Sequence, residues 1–395
     1  MGTEGIRRDE TANRSNGDNE EFKKSKSRPG VSLIHLDRMT DSTGLIQHAI
    51  YCIPRRESGY TVDDNARALR LCVRLWCQRP TDRMLKRITK YLSLLEFARR
   101  PGGGFYNLLS YQRHWLDADR DGDCQGQAVR ALAEVVGCDL PDDYRVHARE
   151  LIERAFPALA ELQSIRAQAY VILAWGHLFA KGAKMADLEK LAVSAARRLM
   201  DCFQRSQRAD WQWFESRMTY ANAVLPHALF VAARCWPQES FLEVARSSFA
   251  FLDSETTEKD IFWPVGNNGW YSHGEEKAEY DQQPVEADTM ADAALAAYQL
   301  LGEKEYLAAF RRARDWFHGR NSLDQPLADV RSGACRDGLQ QFGVNRNQGA
   351  ESTLAYLFSA VHHAEVQSIF DDAQDPSKSC VHAGAAPMTN LVGEN

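Results

Sequence analysis

Apolar residues recur at spacings of three and four along most of this chain, and almost nowhere do they alternate with polar residues at a spacing of two. The first pattern puts one apolar stripe on an α-helix, and the second would mark strands. Eleven segments carry the helical pattern: Val62–Gln78, Arg83–Arg99, Cys124–Val136, Tyr144–Leu162, Ile165–Phe179, Met185–Ser206, Ala221–Cys235, Ser240–Leu252, Val285–Leu301, Lys304–Phe317 and Ala350–His363. A twelfth, weaker one lies around Leu36–Ile53.

Alternate helices differ in kind. DDNARAL at Asp63, CQGQAVRAL at Cys124, IRAQAYVIL at Ile165, TYANAVLPHAL at Thr219, VEADTMADAAL at Val285 and QGAESTLAYL at Gln348 each pair a polar position with small residues. Those positions are Asn65, Gln127, Gln168, Asn222, Asp288 and Glu351, about 40 to 65 residues apart. Small residues suit helices crowded on both faces, whereas the partner helices Arg83–Arg99, Tyr144–Leu162 and Lys304–Phe317 carry charged stripes for water. Six such hairpins closing on themselves predict an all-α fold, the (α/α)6 barrel or six-hairpin toroid, and an open superhelix is the alternative. The ring is favoured because connections alternate between short ones, such as Gln78–Arg83, and long aromatic ones. The long ones, Leu36–Tyr60, Pro101–Asp123, Ala209–Tyr220, Asp260–Pro284 and Gly319–Gly349, all precede an inner helix, so they share one face and can build one pocket. The toroid is expected over residues 31–366, between disordered tails at 1–30 and 367–395.

A net charge of −6 gives no basic field for phosphate backbones, so nucleic acid is not an expected partner, and an acidic, aromatic-rich cleft suits neutral or cationic ligands. The nine cysteines include no CxxC pair, which is the pattern of reduced thiols in a cytoplasm. No secretion or myristoylation signal opens the chain, and no apolar run approaches the roughly 20 residues of a membrane helix.

Candidate chemistry gathers on the long-loop face. Phe262–Leu295 passes from a loop bearing Trp263, Asn268, Trp270, Tyr271, His273 and Asp281 through Pro284 into a helix whose start holds Glu286 and Asp288. Pro near a helix start sacrifices no hydrogen bond, and carboxylates suit the positive end of the dipole. In GYTVDDNARAL, Asp63 and Asp64 open the first inner helix behind Tyr60 and Thr61. Capping explains one such carboxylate, and adjacent ones exceed that need, so one is expected to face the cavity. ADWQWFESRMTYAN sets Glu215 among Trp211, Trp213, Phe214 and Tyr220, where desolvation would keep the acid protonated; a pairing with Arg217 is the plainer reading. Asp337, Asn345, Asn347 and Glu351 gather before and at the last inner helix. DADRDG at Asp117–Gly122 matches half of a calcium loop, yet Ala128 stands where the closing Glu belongs. No HExxH spacing suggests zinc, and nucleotide-binding and GxSxG fingerprints are absent, so neither metal nor cofactor is expected.

The ordered segments HLDRMTDSTGLIQHA, GYTVDDNARAL, DWQWFESRMTYANA, PVGNNGWY, EYDQQPVEAD, RDWFHGRN, GACRDGL and NQGAESTLAYL resemble a bacterial family of all-helical domains. Its members are often labelled glycosyltransferases because they occur fused to, or beside, glycosyltransferase modules. The resemblance covers roughly Val31 to Glu365 and implies a toroid similar to those of glycoside hydrolases and sugar epimerases, with a glycosyltransferase as a partner. The chain departs from the family pattern at Gly122 and Ala221, where acidic residues are usual, and this weakens the implied activity.

The function expected is therefore a carbohydrate-active enzyme, in first place a glycoside hydrolase acting on an oligosaccharide through two carboxylates. The alternatives are a non-catalytic glycan-binding partner of a glycosyltransferase, and an epimerase, lyase or phosphorylase. Glu215 is the expected proton donor, and Asp64 the base, with Asp288 as runner-up and Asp63 and Glu286 as further candidates. A pair facing across the cavity leaves room for water, as inversion requires at about 6.5–9.5 Å. Sugar contacts are expected from Trp115, Trp213, Trp270 and Tyr271 by stacking, and from Arg56, Tyr60, Asn65, Arg217, Asn222, Asn268, Asp337, Asn347 and Glu351 through polar groups.

Overall fold

The computed structural model describes residues 31–117 and 122–374. The expected N-terminal tail, the end of the expected C-terminal tail and the middle of DADRDG lie outside the described residues.

Twelve α-helices lie among the described residues: α1 (Ile34–Met39), α2 (Val62–Gln78), α3 (Asp82–Phe97), α4 (Asp123–Val136), α5 (Asp142–Ala160), α6 (Ile165–Ala180), α7 (Ala186–Ser206), α8 (Val224–Cys235), α9 (Phe241–Glu255), α10 (Pro284–Leu301), α11 (Lys304–Phe317) and α12 (Ala350–Gln374). Local chemistry sets their ends. The hydroxyls of Thr61, Thr81 and Ser164 accept the N–H of Asp64, Met84 and Ala167 at the starts of α2, α3 and α6. Pro284 opens α10, and left-handed Gly302 ends it.

The even-numbered helices form the inner ring, each packing on the next, and α12 packs back on α2 to close it. Every residue of α4 from Cys124 to Val136 is buried, as a wall squeezed between barrel interior and outer ring must be. The outer helix α7 buries a single stripe, Leu188, Ala192, Ala195, Ala196, Leu199 and Phe203. Each buried Leu or Phe of such a stripe contributes about 1.5–3 kcal/mol.

The fold is thus the expected (α/α)6 toroid, with three corrections. The helix expected around Leu36–Ile53 is only the short α1, because the chain then turns into an antiparallel ribbon pairing Ala49–Ile50 with Ile53–Pro54. The last helix runs on to Gln374, past the expected end at His363. The long connections also contain short two-stranded ribbons, too brief to leave an alternating pattern in sequence. Some of these join neighbouring hairpins: Tyr60–Thr61 pairs with Leu108–Leu109, and Arg217–Met218 pairs with Tyr271–Ser272. Gln282 and Leu339 exchange backbone hydrogen bonds of 2.8 and 2.9 Å. These links stitch separate loops into one rim. Gly338 is required there, since a Cβ would sit 2.5 Å from the Gln282 carbonyl oxygen.

Cys77 and Cys138 lie side by side between the end of α2 and the segment after α4. Sixty-one residues separate them, and only helix packing brings them together. No helix among the described residues is long and apolar enough to cross a membrane.

Candidate functional site

The N-termini of the inner helices face the long loops, as their order predicts, and a cavity of about 410 Å³ opens among them. It is lined by Thr61, Asp63 and Asp64 of the α2 start, Glu351 and Ser352 of α12, Asp337 and Asn345 of the loop before α12, and Asp281 to Gln283 before α10.

Arg67 organises the carboxylates. One turn into α2, it lies 3.3 Å from Asp63 and 3.9 Å from Asp64, and it donates to Glu351 at 2.6 Å. Asp64 is tied into the helix start, its Oδ2 accepting from the Thr61 hydroxyl at 2.8 Å. Asp63 is less committed: its backbone N–H donates to Asn107 Oδ1, while its enclosed Oδ1 has no hydrogen-bond partner. Burial pushes Asp63 up to about 7 against the pull of Arg67, with Asp64 and Glu351 adding to the rise. Burial likewise pushes Asp64 up to about 6, Arg67 again opposing. Asp337, held by the Gly349 N–H at 2.7 Å, is raised chiefly by burial.

The other expected acids stand elsewhere. Glu215 does not line this cavity. It forms a 3.0 Å ion pair with Arg166, not Arg217, beside a separate groove that includes Trp211 and His273. The aromatic setting read from sequence is real, yet the neighbouring guanidinium supplies a counter-charge that sequence proximity did not reveal. Glu286 is an internal brace. Its carboxylate accepts the N–H of Ala221, the N–H of Asn222 and Asn222 Nδ2, so it props up a turn in which Ala221 takes a φ of 47°. Burial raises Glu286 to about 7 despite those three donors. Glu286→Ala should orphan them and destabilise the fold by about 1–3 kcal/mol in urea denaturation. Asp288 lies deeper, on the barrel axis, held well above its ordinary value by burial and then by Asp292.

The expected stacking residues are not at the cavity, and among the described residues no Phe, Tyr or Trp side chain lines it. Trp213 is fully buried against Phe214, and Trp115 stacks on Tyr106 with centroids 5.2 Å apart. Trp270 faces Tyr220, and Tyr271 meets the buried Trp211 edge-on. Aromatic residues in these loops pack the rim, which a sequence cannot distinguish from offering a platform. Of the expected polar contacts, Asp337 and Glu351 line the cavity, and the others do not. Asn65 is internal and bonds Leu45 and the Thr61 carbonyl oxygen. Asn222 is internal too, Tyr60 donates to Asp41, and Asn347 accepts from the Tyr51 N–H. Arg217 donates to the Gly269 carbonyl oxygen, while Arg56 and Asn268 are exposed outside the cavity. The lining also includes Gln47, His48, Asn107, Asn267 and Gln340, none of them foreseen as contacts. Arg67 had a legible signal, four residues after Asp63 on one helix face.

Below the mouth, the axis is filled with charge. Arg70 donates to Glu134 at 2.9 Å, both side chains being 4% exposed, and Arg130 lies 3.3 Å from Asp292. Asp288, Asp292 and His362 bring ligand atoms within 4.8 Å of one another. Asp292 is already paired with Arg130 and His362, and Arg74 also bonds His362, so guanidinium charge opposes a cation there. At the half-matched calcium loop, Asp117 accepts from the N–H groups of Asn107 and Leu108 and pairs with Arg100, which makes it a loop anchor.

Neither a protein-family model nor a curated protein matches the chain. Solved structures do share its fold. A sugar epimerase from a ruminal bacterium superposes with a TM-score of 0.63 at 11% identity, covering 83% of this chain and 94% of its own. A D-mannose isomerase gives 0.64 at 12%, covering 85% and 95%. The GH76 α-mannanase of Bacteroides thetaiotaomicron gives 0.58 at 10%, covering 79% and 88%.

Proposed function

We propose that this toroid is a carbohydrate-processing enzyme, in first place a glycoside hydrolase, whose chemistry is carried by Asp63 and Asp64 at the start of α2. The observation that carries the reading is the enclosed, unpartnered Oδ1 of Asp63 at the cavity wall, on a carboxyl that burial holds protonated near neutrality. A protonated carboxyl can give its proton to a glycosidic oxygen, and Asp64, whose Oδ2 accepts from the Thr61 hydroxyl, is the ionised partner. Arg67 balances whichever of them is charged. Glu351 and Asp337, on the α12 side, offer acceptors for sugar hydroxyls. The acid and base expected from sequence, Glu215 and Asp64, do not line one cavity, so Asp63 replaces Glu215 as donor.

The fold neighbours include sugar isomerases and a mannanase, which supports sugar chemistry without choosing between the two kinds. His48 is the one histidine lining the cavity, so carboxylate chemistry is favoured over histidine-based epimerisation. A glycan-binding partner of a glycosyltransferase would be expected to show Trp or Tyr platforms, and the cavity has none among the described residues. The test is incubation with a panel of oligosaccharides that includes mannosides and glucosides, read as released reducing sugar. Release abolished in the Asp63→Asn protein supports the reading. Tight glycan binding without turnover of any member would overturn it in favour of the binding role.

A further inference from the structure

A second cavity, also of about 410 Å³, lies at the other end of the barrel, where the short connections run, and all six inner helices wall it. Three carboxylates face it, and each is already matched. Glu134 pairs with Arg70 and Arg74, Asp292 pairs with Arg130 and His362, and Glu365 accepts from the Gln78 amide at 3.3 Å. Two cations on the wall are not matched. Lys181, just after α6, and Arg234, in the last turn of α8, have no ion-pair partner among the described residues. The Arg234 guanidinium donates to the Gly176 carbonyl oxygen at 3.3 Å, which leaves its charge uncompensated.

Cations near helix C-termini complement the helix dipole, and that suffices for Lys181 and Arg234 taken singly. It does not explain His227. This imidazole, in the first turn of α8, is 8% exposed, lines the same cavity and has no hydrogen-bond or ion-pair partner among the described residues. Burial holds it down at about 3, with Asp292 opposing and Arg130, Arg70 and Arg74 adding to the fall, so the ring is neutral and keeps one N–H to give. A polar group buried without a partner is costly, and here it is turned towards a space large enough to hold one.

We infer that this far-end cavity binds a small phosphate monoester, its phosphate held by Lys181 and Arg234 and its polar body reaching His227. The charge fits, because a phosphate monoester carries about −1.5 to −2 at neutral pH and two uncommitted cations await it, whereas a carboxylate carries only one charge. The span fits as well. His227 and Arg234 stand seven residues apart on one face of α8, about 10 Å by helix rise, which is more than a lone ion bridges. The volume lies within the roughly 300–1,000 Å³ of small-molecule sites. The site is separate from the mouth, and the inference does not depend on the reaction carried out there.

The test uses the full chain at pH 7 and isothermal titration with glycerol 3-phosphate and glucose 6-phosphate, each beside its neutral parent and a carboxylate counterpart, glycerate or glucuronate, and with inorganic phosphate. The ester should bind at least about tenfold more tightly than its neutral and carboxylate counterparts, and the margin should shrink in molar salt. Lys181→Met and Arg234→Met should each weaken ester binding by about tenfold. Lys184→Met, at an exposed lysine three residues on that does not line the cavity, should leave it unchanged. His227→Leu should weaken the esters and leave inorganic phosphate unchanged, with circular dichroism confirming the fold of every variant. Equal binding of ester and neutral parent, or of ester and carboxylate, would overturn the inference. So would ester binding intact in both Lys181→Met and Arg234→Met, or a loss as large in Lys184→Met, which would mean diffuse surface charge.

Discussion

Asp63→Asn should lower turnover of any glycoside the protein cleaves by about 10²–10⁴-fold, the usual contribution of a positioned acid or base, while the toroid stays folded. Asparagine keeps the shape of the protonated acid but cannot give up a proton. The pH profile should carry the same signature. The donor must be protonated, so activity should fall as pH rises through about 7, and the partner must be ionised, so activity should fall below about 6. Both limbs belong to the Asp63–Asp64 pair rather than to either residue alone. In Asp63→Asn any residual activity should lose the alkaline limb. Stability should move oppositely. Asp63 is raised from 3.8 to about 7, so the folded state binds its proton more tightly than the unfolded chain, and stability declines as pH rises through that window. Removing the charge should therefore make Asp63→Asn more stable than the parent above pH 7. Glu215→Gln, in the same assay, should retain near-normal turnover, since that carboxylate serves Arg166 outside the cavity. Loss of activity in Glu215→Gln with full activity in Asp63→Asn would reverse the assignment.

The largest loss of stability is expected at the barrel axis. Glu134→Gln should destabilise the protein by about 3–5 kcal/mol in urea or thermal unfolding, because it leaves the buried Arg70 and the half-buried Arg74 without their counter-charge. Burial by itself would raise Glu134, but Arg70 and Arg74 outweigh it and hold the carboxylate down at about 2. Its folded value thus lies below the ordinary 4.5, so its contribution is complete above that pH and disappears as pH falls towards 2. The parent should lose stability over that window more steeply than Glu134→Gln. Replacing both partners by apolar residues, Arg70→Met with Glu134→Leu, should restore much of the loss, since breaking a buried pair is worse than removing it. A Glu134→Gln protein as stable as the parent would mean that the axial charges are solvated rather than buried.

Much of this protein was legible in its sequence. The spacing of apolar residues located α2 and α11 to the residue and most other helices within a few positions, because helix period and capping are local properties. The alternation of small-residue and charged-stripe helices separated inner from outer ring. The order of long and short connections decided which end would hold the mouth cavity, and placed Asp63, Asp64, Asp337 and Glu351 there. Tertiary structure alone decided which of these groups meet. Arg67 and Glu351 are 284 residues apart, and they touch only because α12 closes the ring against α2. The packing of α2 on α4 sets Arg70 beside Glu134, and it brings Cys77 to Cys138. Trp213, Asn222 and Glu286 show the limit from the other side. Their composition suits a sugar site, yet they are used to hold the rim, because periodicity reports that a side chain is buried and not what it is buried against.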